Sequence, residues 1–501
     1  MLYNSTQNKG AVVSSATAIA QGISKDGGLF VPQSFPKLSL NTLKNMLFMT
    51  YQERAKIVFS YYLTDFSEDE IADCVDKAYT KKKFDFEEPT VLSSVNYHGN
   101  ELNILELWHG PTSAFKDMAL QILPHLLTKS MKKTNDGKTA VILVATSGDT
   151  GKAALEGFKD VKDTKIIVFY PQNGVSPMQK HQMTTQEGNN VYVCAINGNF
   201  DDAQTAVKTI FTDPKMNEIL ADNNMMFSSA NSINFGRLLP QVVYYISAYC
   251  DMVNKGKINL GDKINVVVPT GNFGNILAGY YAYEMGLPVN KFICASNSNN
   301  VLTDFINTGV YDKNRQFYTT ISPSMDILVS SNLERLLYKL SGDNDTLTKE
   351  WMTKLKTDGK YEVTDEVKEK MSSLFYGSFC DDTKTKSTIS ELFNRCSYLC
   401  DTHTSVAVTV YNEYVAKTGD KTPCVIDSTA SPYKFAKSVL EAISKDDIPS
   451  DEFDMVSKLN SVTKVSVPKP LASLKGKVPR FKDVTEKEDM QDVVLSALGI
   501  K

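Results

Sequence analysis

From about residue 130 onward, short apolar runs alternate with polar loops and amphipathic segments. Each run is rich in β-branched residues and too apolar to leave one face in water, and Gly, Ser, Thr or Asn residues follow it. Parallel strands that are covered by helices on both faces have this pattern. The runs predicted to be strands are 139–145, 165–171, 190–196, 264–269, 291–296 and 424–427.

The repeated unit predicts an α/β protein with doubly wound, mostly parallel sheets in two core subdomains. Residues 1–92 contain no comparable unit and are predicted to form a mostly helical N-terminal accessory domain. Residues 93–501 are predicted to form the catalytic region, with a helical, charge-rich insertion at about 330–400. Ligands of such sheets bind beyond the carboxyl ends of the strands, so the candidate chemistry lies in the loops there.

Composition limits the possible partners. The chain has 501 residues, with 54 Lys and Arg against 58 Asp and Glu, so no global basic field favours nucleic acid or an anionic membrane. Neither an apolar run of membrane length nor a signal-peptide pattern occurs, and we expect a cytoplasmic protein, monomeric or homodimeric. The eight cysteines and five histidines show no ligand spacing, so no metal site is predicted.

Residues 270–275 (TGNFGN) connect a predicted buried strand to a predicted helix. Backbone N–H groups at the start of that helix form a cradle suited to a phosphate, and the glycines allow close approach. The alternative interpretation is a tight turn without a ligand.

Residues 145–155 (ATSGDTGKAAL) resemble a nucleotide-binding P-loop but lack two of its required residue types, since Thr146 and Ala153 stand at those positions. An NTPase is therefore disfavoured. The hydroxyls of Ser147 and Thr150 at a helix start suit a carboxylate or a phosphate, and ordinary helix capping is the alternative.

Two cationic residues stand in unusual contexts. Lys116 lies among small and apolar residues (WHGPTSAFKD), where desolvation would make an amine nucleophilic enough for a Schiff base. Arg237 follows Asn231, Ser232 and Asn234, a group that could surround a phosphate. The alternatives are an ion-paired lysine beside Asp117 and a surface arginine beside a capped helix.

Taken together, these segments resemble the threonine synthase family, and specifically its longer microbial and fungal branch. This family has fold type II of the pyridoxal-phosphate (PLP) enzymes. The segments that carry the resemblance are AIAQGISKDGGLFVP (18–32), LELWHGPTSAFKD (105–117), ATSGDTGKAA (145–154), NSINFGR (231–237), PTGNFGN (269–275), SPSMDILVSSNLERLLY (322–338), DTHTSVAV (401–408) and STASPYKF (428–435).

The resemblance implies that Lys116 is catalytic and forms the Schiff base with PLP, and that Thr429 meets the pyridine nitrogen. It implies that the cofactor phosphate is held by Gly271, Asn272, Phe273, Gly274 and Asn275. It further implies that the substrate is surrounded by Ser147, Asp149, Thr150, Asn231, Ser232 and Arg237. Many relatives of this fold carry Asn where Asp149 stands, so its partner and its protonation state stay open.

The implied activity is that of a carbon–oxygen lyase acting on phosphates, which converts O-phospho-L-homoserine and water to L-threonine and phosphate. This reaction is the last step of threonine biosynthesis. One alternative is another fold type II lyase or dehydratase acting on serine or threonine, which would need no phosphate clamp at Arg237. The other is a relative that binds ligands without catalysis, an interpretation that the presence of Lys116, the glycine loop and Thr429 disfavours.

Overall fold

The structure is a computed structural model that describes residues 1–134, 137–146, 148–173 and 175–500, without the side chains of residues 200 and 201. The strands are β1 (Leu2–Ser5), β2 (Asn8–Ser14), β3 (Phe30–Pro32), β4 (Val91–Tyr97), β5 (Asn100–Glu106), β6 (Thr139–Ala145), β7 (Thr164–Pro171), β8 (Val191–Ile196), β9 (Met225–Ser228), β10 (Ile264–Pro269), β11 (Val289–Ser296), β12 (Val310–Asp312), β13 (Lys360–Glu362), β14 (Phe375–Phe379), β15 (Cys424–Ser428) and β16 (Val484–Thr485).

The helices are α1 (Ser15–Gln21), α2 (Leu40–Met46), α3 (Tyr51–Tyr62), α4 (Glu68–Ala78), α5 (Asp117–Leu120), α6 (Leu123–Lys133), α7 (Asp149–Phe158), α8 (Pro177–Thr184), α9 (Phe200–Thr212), α10 (Pro214–Asp222), α11 (Phe235–Asn254), α12 (Gly274–Glu284), α13 (Val301–Thr308), α14 (Leu333–Leu340), α15 (Asp345–Thr357), α16 (Asp365–Leu374), α17 (Asp382–Cys396), α18 (Thr402–Thr418), α19 (Ala436–Ile443), α20 (Glu452–Thr463), α21 (Lys469–Ala472) and α22 (Met490–Leu498). Short 3₁₀ turns cover Pro323–Met325, Pro432–Phe435 and Lys487–Asp489. None of the helices in the described ranges has both the length and the hydropathy for a bilayer crossing.

Two sheets form the core. The six-stranded sheet has the order β14-β11-β10-β15-β5-β4, and its strands are parallel except for the antiparallel edge strand β4. The five-stranded sheet, in the order β16-β8-β7-β6-β9, is parallel throughout. All six predicted strands are present, with ends that differ by at most two residues, and the predicted α/β class is confirmed.

Two features differ from the predicted pattern. The N-terminal region contains a small antiparallel sheet, in the order β2-β1-β3, besides its predicted helices. Strand β14 lies within the segment predicted as a helical insertion and pairs with β11 at the edge of the six-stranded sheet. Strands β1, β3 and β14 have three to five residues, too few for a recognisable alternation of apolar and polar positions, and β2 begins with two polar residues and a glycine.

Helix α14 links the N-terminal region to the two sheets. Glu334 accepts hydrogen bonds from the Thr6 hydroxyl and, at 3.0 Å, from the Gln7 amide. Its neighbour Arg335 is fully buried and donates to the carbonyl oxygens of Phe30, at 2.9 Å, and Ile233. The N-terminal region therefore packs directly against a helix that reaches the carboxyl ends of the strands.

Candidate active site

The loops that follow β5 and β15 lie side by side, because these strands are parallel neighbours. The backbone N–H of Phe115 donates to the carbonyl of Thr429 at 2.8 Å, and that of Ser431 donates to the carbonyl of Ser113 at 3.1 Å. These bonds place Lys116, just before α5, close to Thr429. The Thr429 side chain is buried, and within the described ranges its hydroxyl makes no hydrogen bond.

A carboxylate bridges two lysines at the start of α7. One oxygen of Asp149, Oδ1, lies 2.6 Å from the Lys434 Nζ and accepts from the Gln179 amide at 2.9 Å. The other oxygen, Oδ2, lies 3.7 Å from the Lys116 Nζ. Lys434 is fully buried and also donates to the carbonyl of Thr112 at 3.1 Å. The partner of Asp149, which the sequence left open, is therefore a pair of lysines.

The surroundings of this group determine its protonation. Burial lowers the pKa of Lys116 to about 8; Asp149 opposes this shift, whereas the charges of Lys434 and Arg237 add to it. Burial alone would raise the pKa of Asp149, but Lys434 and then Lys116 outweigh it and hold that pKa well below its usual range. The site therefore has an ionised carboxylate next to an amine that loses its proton near neutral pH.

Ser324 is a further neighbour of Lys116. Its hydroxyl lies 3.4 Å from the Lys116 Nζ, and its backbone N–H donates to His403 Nε2 at 3.1 Å. The other ring nitrogen of His403 lies 2.6 Å from Oδ2 of Asp401, the residue that caps α18. Because Nε2 accepts, the imidazole proton lies on Nδ1. A buried Asp–His pair thus fixes the serine that faces the lysine.

The glycine loop lies against the same serine. A Cβ atom at Gly271 would lie 2.4 Å from the Ser324 carbonyl oxygen, so only glycine fits there. Phe273 has a left-handed conformation with φ of 62°, and α12 begins at the next residue with no side-chain cap from the described residues. The Asn272 carbonyl accepts from the Asn332 amide at 3.0 Å. The backbone N–H groups at this helix start are thus open to an anion.

Asn275 continues the loop into the protein interior. Its Oδ1 accepts from the Tyr244 hydroxyl and lies 2.6 Å from the Tyr245 hydroxyl, which in turn lies 2.7 Å from Oδ2 of Asp427. Its Nδ2 is buried and has no hydrogen-bond partner among the described residues. Burial raises the pKa of Asp427 to about 7. The Asn275 amide faces this carboxyl and opposes the rise in its pKa, so the part of the loop that remains open to an anion is the start of α12.

Arg237 lies in the first turn of α11, where Asn234 caps the helix and also donates to the carbonyl of Ile19 at 3.0 Å. The guanidinium is buried and donates from Nη1 to the carbonyl of Ala230 at 2.7 Å, but Nε has no partner among the described residues. Burial lowers the pKa of Arg237 to about 10, and no carboxylate in the described ranges pairs with it. The site thus contains a buried cation without a counter-charge.

The predicted site residues are brought together to different degrees. Lys116 and Asp149 are in direct contact, and Ser232 accepts a 3.4 Å hydrogen bond from Asn332, which also holds the glycine loop. Asn231 accepts through its carbonyl from the N–H of Asn234 at 3.0 Å. Thr150 lies in the first turn of α7 and makes no side-chain hydrogen bond to other described residues. Ser147 lies outside the described residues.

Several residues at the site had no role in the sequence analysis. Most of them lie in segments that carry the family resemblance, and that position is the signal that could have found them. These residues are Gln179, Ser324, Asn332, Asp401, His403 and Lys434.

A lysine beyond the end of a parallel strand, facing a glycine loop at an uncapped helix start, defines the site of a pyridoxal-phosphate dependent enzyme. The sequence family of that description matches residues 85–426. The families described as "Threonine synthase N terminus" and "Threonine synthase, C-terminal" match residues 2–79 and 404–494. The chain belongs to the threonine synthase family.

Named relatives and a solved structure agree with this assignment. The chain is 41% identical over 436 residues to human "Threonine synthase-like 1", a match that covers 85% of this chain and 57% of that protein. Saccharomyces cerevisiae threonine synthase is 37% identical over 467 residues, with 88% and 89% coverage. A crystal structure of PLP-bound threonine synthase from Brucella melitensis has a TM-score of 0.87 at 32% identity and 99% coverage of both chains. The chain thus matches just over half the length of the human relative.

Proposed function

We propose that this protein is a threonine synthase, which converts O-phospho-L-homoserine and water to L-threonine and phosphate. Its membership of the family and its similarity to threonine synthases along most of the chain support the proposal. The site adds a specific argument, which distinguishes a phosphorylated substrate from serine or threonine.

The unpaired guanidinium of Arg237 is the observation that carries the proposal. A buried cation is costly unless an anion or several hydrogen bonds compensate for it. Among the described residues Arg237 has one carbonyl partner and a free Nε, so the compensating anion is expected from a ligand. The phosphate of the substrate meets this need, whereas a dehydratase that acts on serine or threonine would leave the charge uncompensated.

The residues present fit pyridoxal phosphate. The uncapped start of α12 and the close approach that Gly271 permits suit its phosphate. Lys116 and Thr429 lie on adjacent loops and would serve the aldehyde and the ring nitrogen of the cofactor. When bound, the cofactor supplies the electron sink that allows protons to leave the carbon atoms of an amino acid.

Lys116 is the residue that we expect to transfer the substrate protons. With a pKa of about 8, Lys116 exchanges a proton readily near neutral pH, so it suits removal and return of protons at Cα and Cβ of the substrate. Asp149 holds the amine in place through one carboxylate oxygen. Arg237 binds the phosphate before and while it leaves from Cγ, and we expect Asn231 and Ser232 to complete that contact.

The test is an assay of the purified protein for phosphate release and threonine formation from O-phospho-L-homoserine. We expect stoichiometric threonine and phosphate, and much slower conversion of L-serine or L-threonine to keto acids. A faster reaction with the unphosphorylated amino acids would overturn the proposal in favour of a dehydratase. PLP binding without turnover of any of these amino acids would instead indicate a binding protein.

Location and assembly belong to the same proposal. A small phosphorylated amino acid is a substrate of soluble metabolism, so we place the enzyme in the cytoplasm, acting as a monomer or homodimer without nucleic acid or membrane partners. Cell fractionation and light scattering of the purified protein test the two statements. Enrichment in a membrane fraction would contradict the first, and a larger assembly would contradict the second.

A further inference from the structure

Lys434 is a second lysine at the candidate active site, and the proposed function gives it no task. It lies in the 3₁₀ turn 432–435 and has no solvent exposure. Its Nζ lies 2.6 Å from Oδ1 of Asp149, whose other oxygen faces Lys116 at 3.7 Å. One carboxylate therefore faces two amines, and the buried amine is the closer of the two.

This geometry matters because a lone carboxylate beside Lys116 would oppose the reaction. A buried Asp–Lys pair stabilises the charged form of both groups, so the amine would stay protonated and would not act as a nucleophile or a base. Lys434 compensates the charge of Asp149 through the other oxygen and repels a proton on Lys116. The carboxylate then still orients the lysine but no longer fixes its charge.

We propose that Lys434 is a positioning residue that acts through Asp149: it keeps this carboxylate ionised and in place while leaving Lys116 free to release its proton. The inference rests on the proposed role of Lys116 as the reactive amine. It adds that this role requires the Lys434 amine on the far side of Asp149.

The groups that face the two lysines are few. Lys116 is faced by Asp149 from α7, Lys434 from the 3₁₀ turn, Arg237 from α11 and the Ser324 hydroxyl. Lys434 is faced by Asp149, by the Thr112 carbonyl and, more remotely, by Asp117. The Asp117 carboxylate accepts hydrogen bonds from the Thr112 backbone N–H and hydroxyl, both at 2.8 Å. Burial is the main cause of the lowered pKa of Lys116, about 8; Asp149 opposes the shift, and Lys434 and Arg237 add to it.

The test measures the charge of Lys116 in the cofactor-free full-length protein, so it does not depend on turnover. Trace acetylation with acetic anhydride at a series of pH values, read by mass spectrometry of the Lys116 peptide, gives the midpoint at which the amine becomes reactive. For Lys434→Met we expect the midpoint to rise by about one pH unit, since repulsion is lost and Asp149 pairs with Lys116 alone. For Asp149→Asn we expect a shift in the opposite direction, since attraction is lost.

A matched control and a double variant keep the result interpretable. Lys152→Met also removes a buried lysine, one paired with Glu156 within α7, and should leave the Lys116 midpoint unchanged. If Lys434→Met does not fold, Asp149→Asn/Lys434→Met removes both charges, and its midpoint should lie above that of Asp149→Asn alone. Equal midpoints for these two proteins, or a fall in Lys434→Met, would overturn the inference. Phosphate release from O-phospho-L-homoserine by the wild-type protein tests the proposed function separately.

Discussion

Two loops of the candidate site have the same strand–turn–helix connection, but the starts of their helices differ. Each follows a buried parallel strand and leads into a helix, β6 into α7 and β10 into α12. In the first, the Thr146 hydroxyl accepts from the N–H groups of Gly148, at 3.0 Å, and Gly151, at 2.9 Å. In the second, no side chain in the described ranges caps the helix after Phe273.

The two loops differ in whether the protein itself places a negative charge at the helix start. The first helix start carries its own anion, Asp149, at the end where a negative charge is favourable, and this anion binds amines. The second helix start has no acidic residue in its first turn, so its N–H groups are open to an anion from outside. The same strand–turn–helix unit thus makes an amine-binding site or a phosphate-binding site, depending on whether the protein itself supplies the negative charge.

Removal of the amine between the loops should have the largest effect. Lys116→Ala should lose covalent cofactor attachment, and turnover should fall by about a thousandfold or more, because no other group replaces both its anchoring and its proton transfer. Borohydride reduction followed by peptide mass analysis, together with the phosphate-release assay, measures both effects. Near-normal turnover, or a reduced label on another lysine, would contradict the assignment of Lys116.

Arg237→Ala should leave the cofactor absorbance intact and reduce kcat/KM for O-phospho-L-homoserine by about 100-fold, the loss expected for a charge-assisted phosphate contact. Arg237→Lys should recover only part of this loss, because an ammonium lacks the two parallel donors. Residual activity on serine should change much less. Equal losses on both substrates would mean that Arg237 supports the fold or the cofactor site.

The second loop can be tested with a pair of glycine substitutions. Gly271→Ala should weaken cofactor affinity by about tenfold, because its methyl group would displace the Ser324 carbonyl, which lies 2.4 Å from the required Cβ position. Gly10→Ala is the control, since Gly10 is exposed in β2, outside the candidate site, and its Cβ would approach only the Asn8 side chain, at 3.2 Å. Titration of the cofactor-free proteins with PLP compares them, and similar losses in both would count against a specific steric effect.

The smallest expected effect concerns Asp427, which connects to the second loop through Tyr245. Burial raises its pKa to about 7, so the folded protein retains a proton that the unfolded chain releases from about pH 4 upward. Its contribution to stability is complete below that pH and is lost as the pH rises through about 7. Asp427→Asn should therefore melt about 1–2 °C higher than the wild-type protein at pH 8 and show no gain at pH 4. A gain at both pH values would exclude titration as the cause.

The sheets were predictable from sequence because their strands are buried on both faces. Runs such as 139–145 and 264–269 form strands with the predicted bounds. The strands β1 and β14 were missed for different reasons. Strand β1 has four residues and pairs with its neighbour β2 in a tight hairpin, so it is too short to show a pattern. Strand β14 pairs with β11, which lies far away in the chain. The sequence also indicated which loops form the candidate site, because parallel topology brings the loops at the carboxyl ends of the strands together.

The charges within the site were less predictable. The sequence indicated Lys116 and Arg237 by their neighbours, but it could not show that Asp149 binds a lysine nearly three hundred residues further along the chain. Nor does any spacing connect Ser324, in a 3₁₀ turn, with His403, at the start of α18, and the two meet only in the folded protein. Such contacts depend on tertiary packing, and a motif identifies at most one of the partners.

The contacts of α14 have a consequence for recombination. Glu334 binds the Thr6 hydroxyl, Arg335 binds the carbonyl next to Ser232, and Asn332 holds the glycine loop. A chimera that takes its first residues from one parent and this helix from another would combine contact residues that did not evolve together. The mismatch would disturb α14 and, through its contacts, the candidate active site. The first residues of the chain and α14 should therefore be taken from the same parent, although more than three hundred residues separate Thr6 from Glu334.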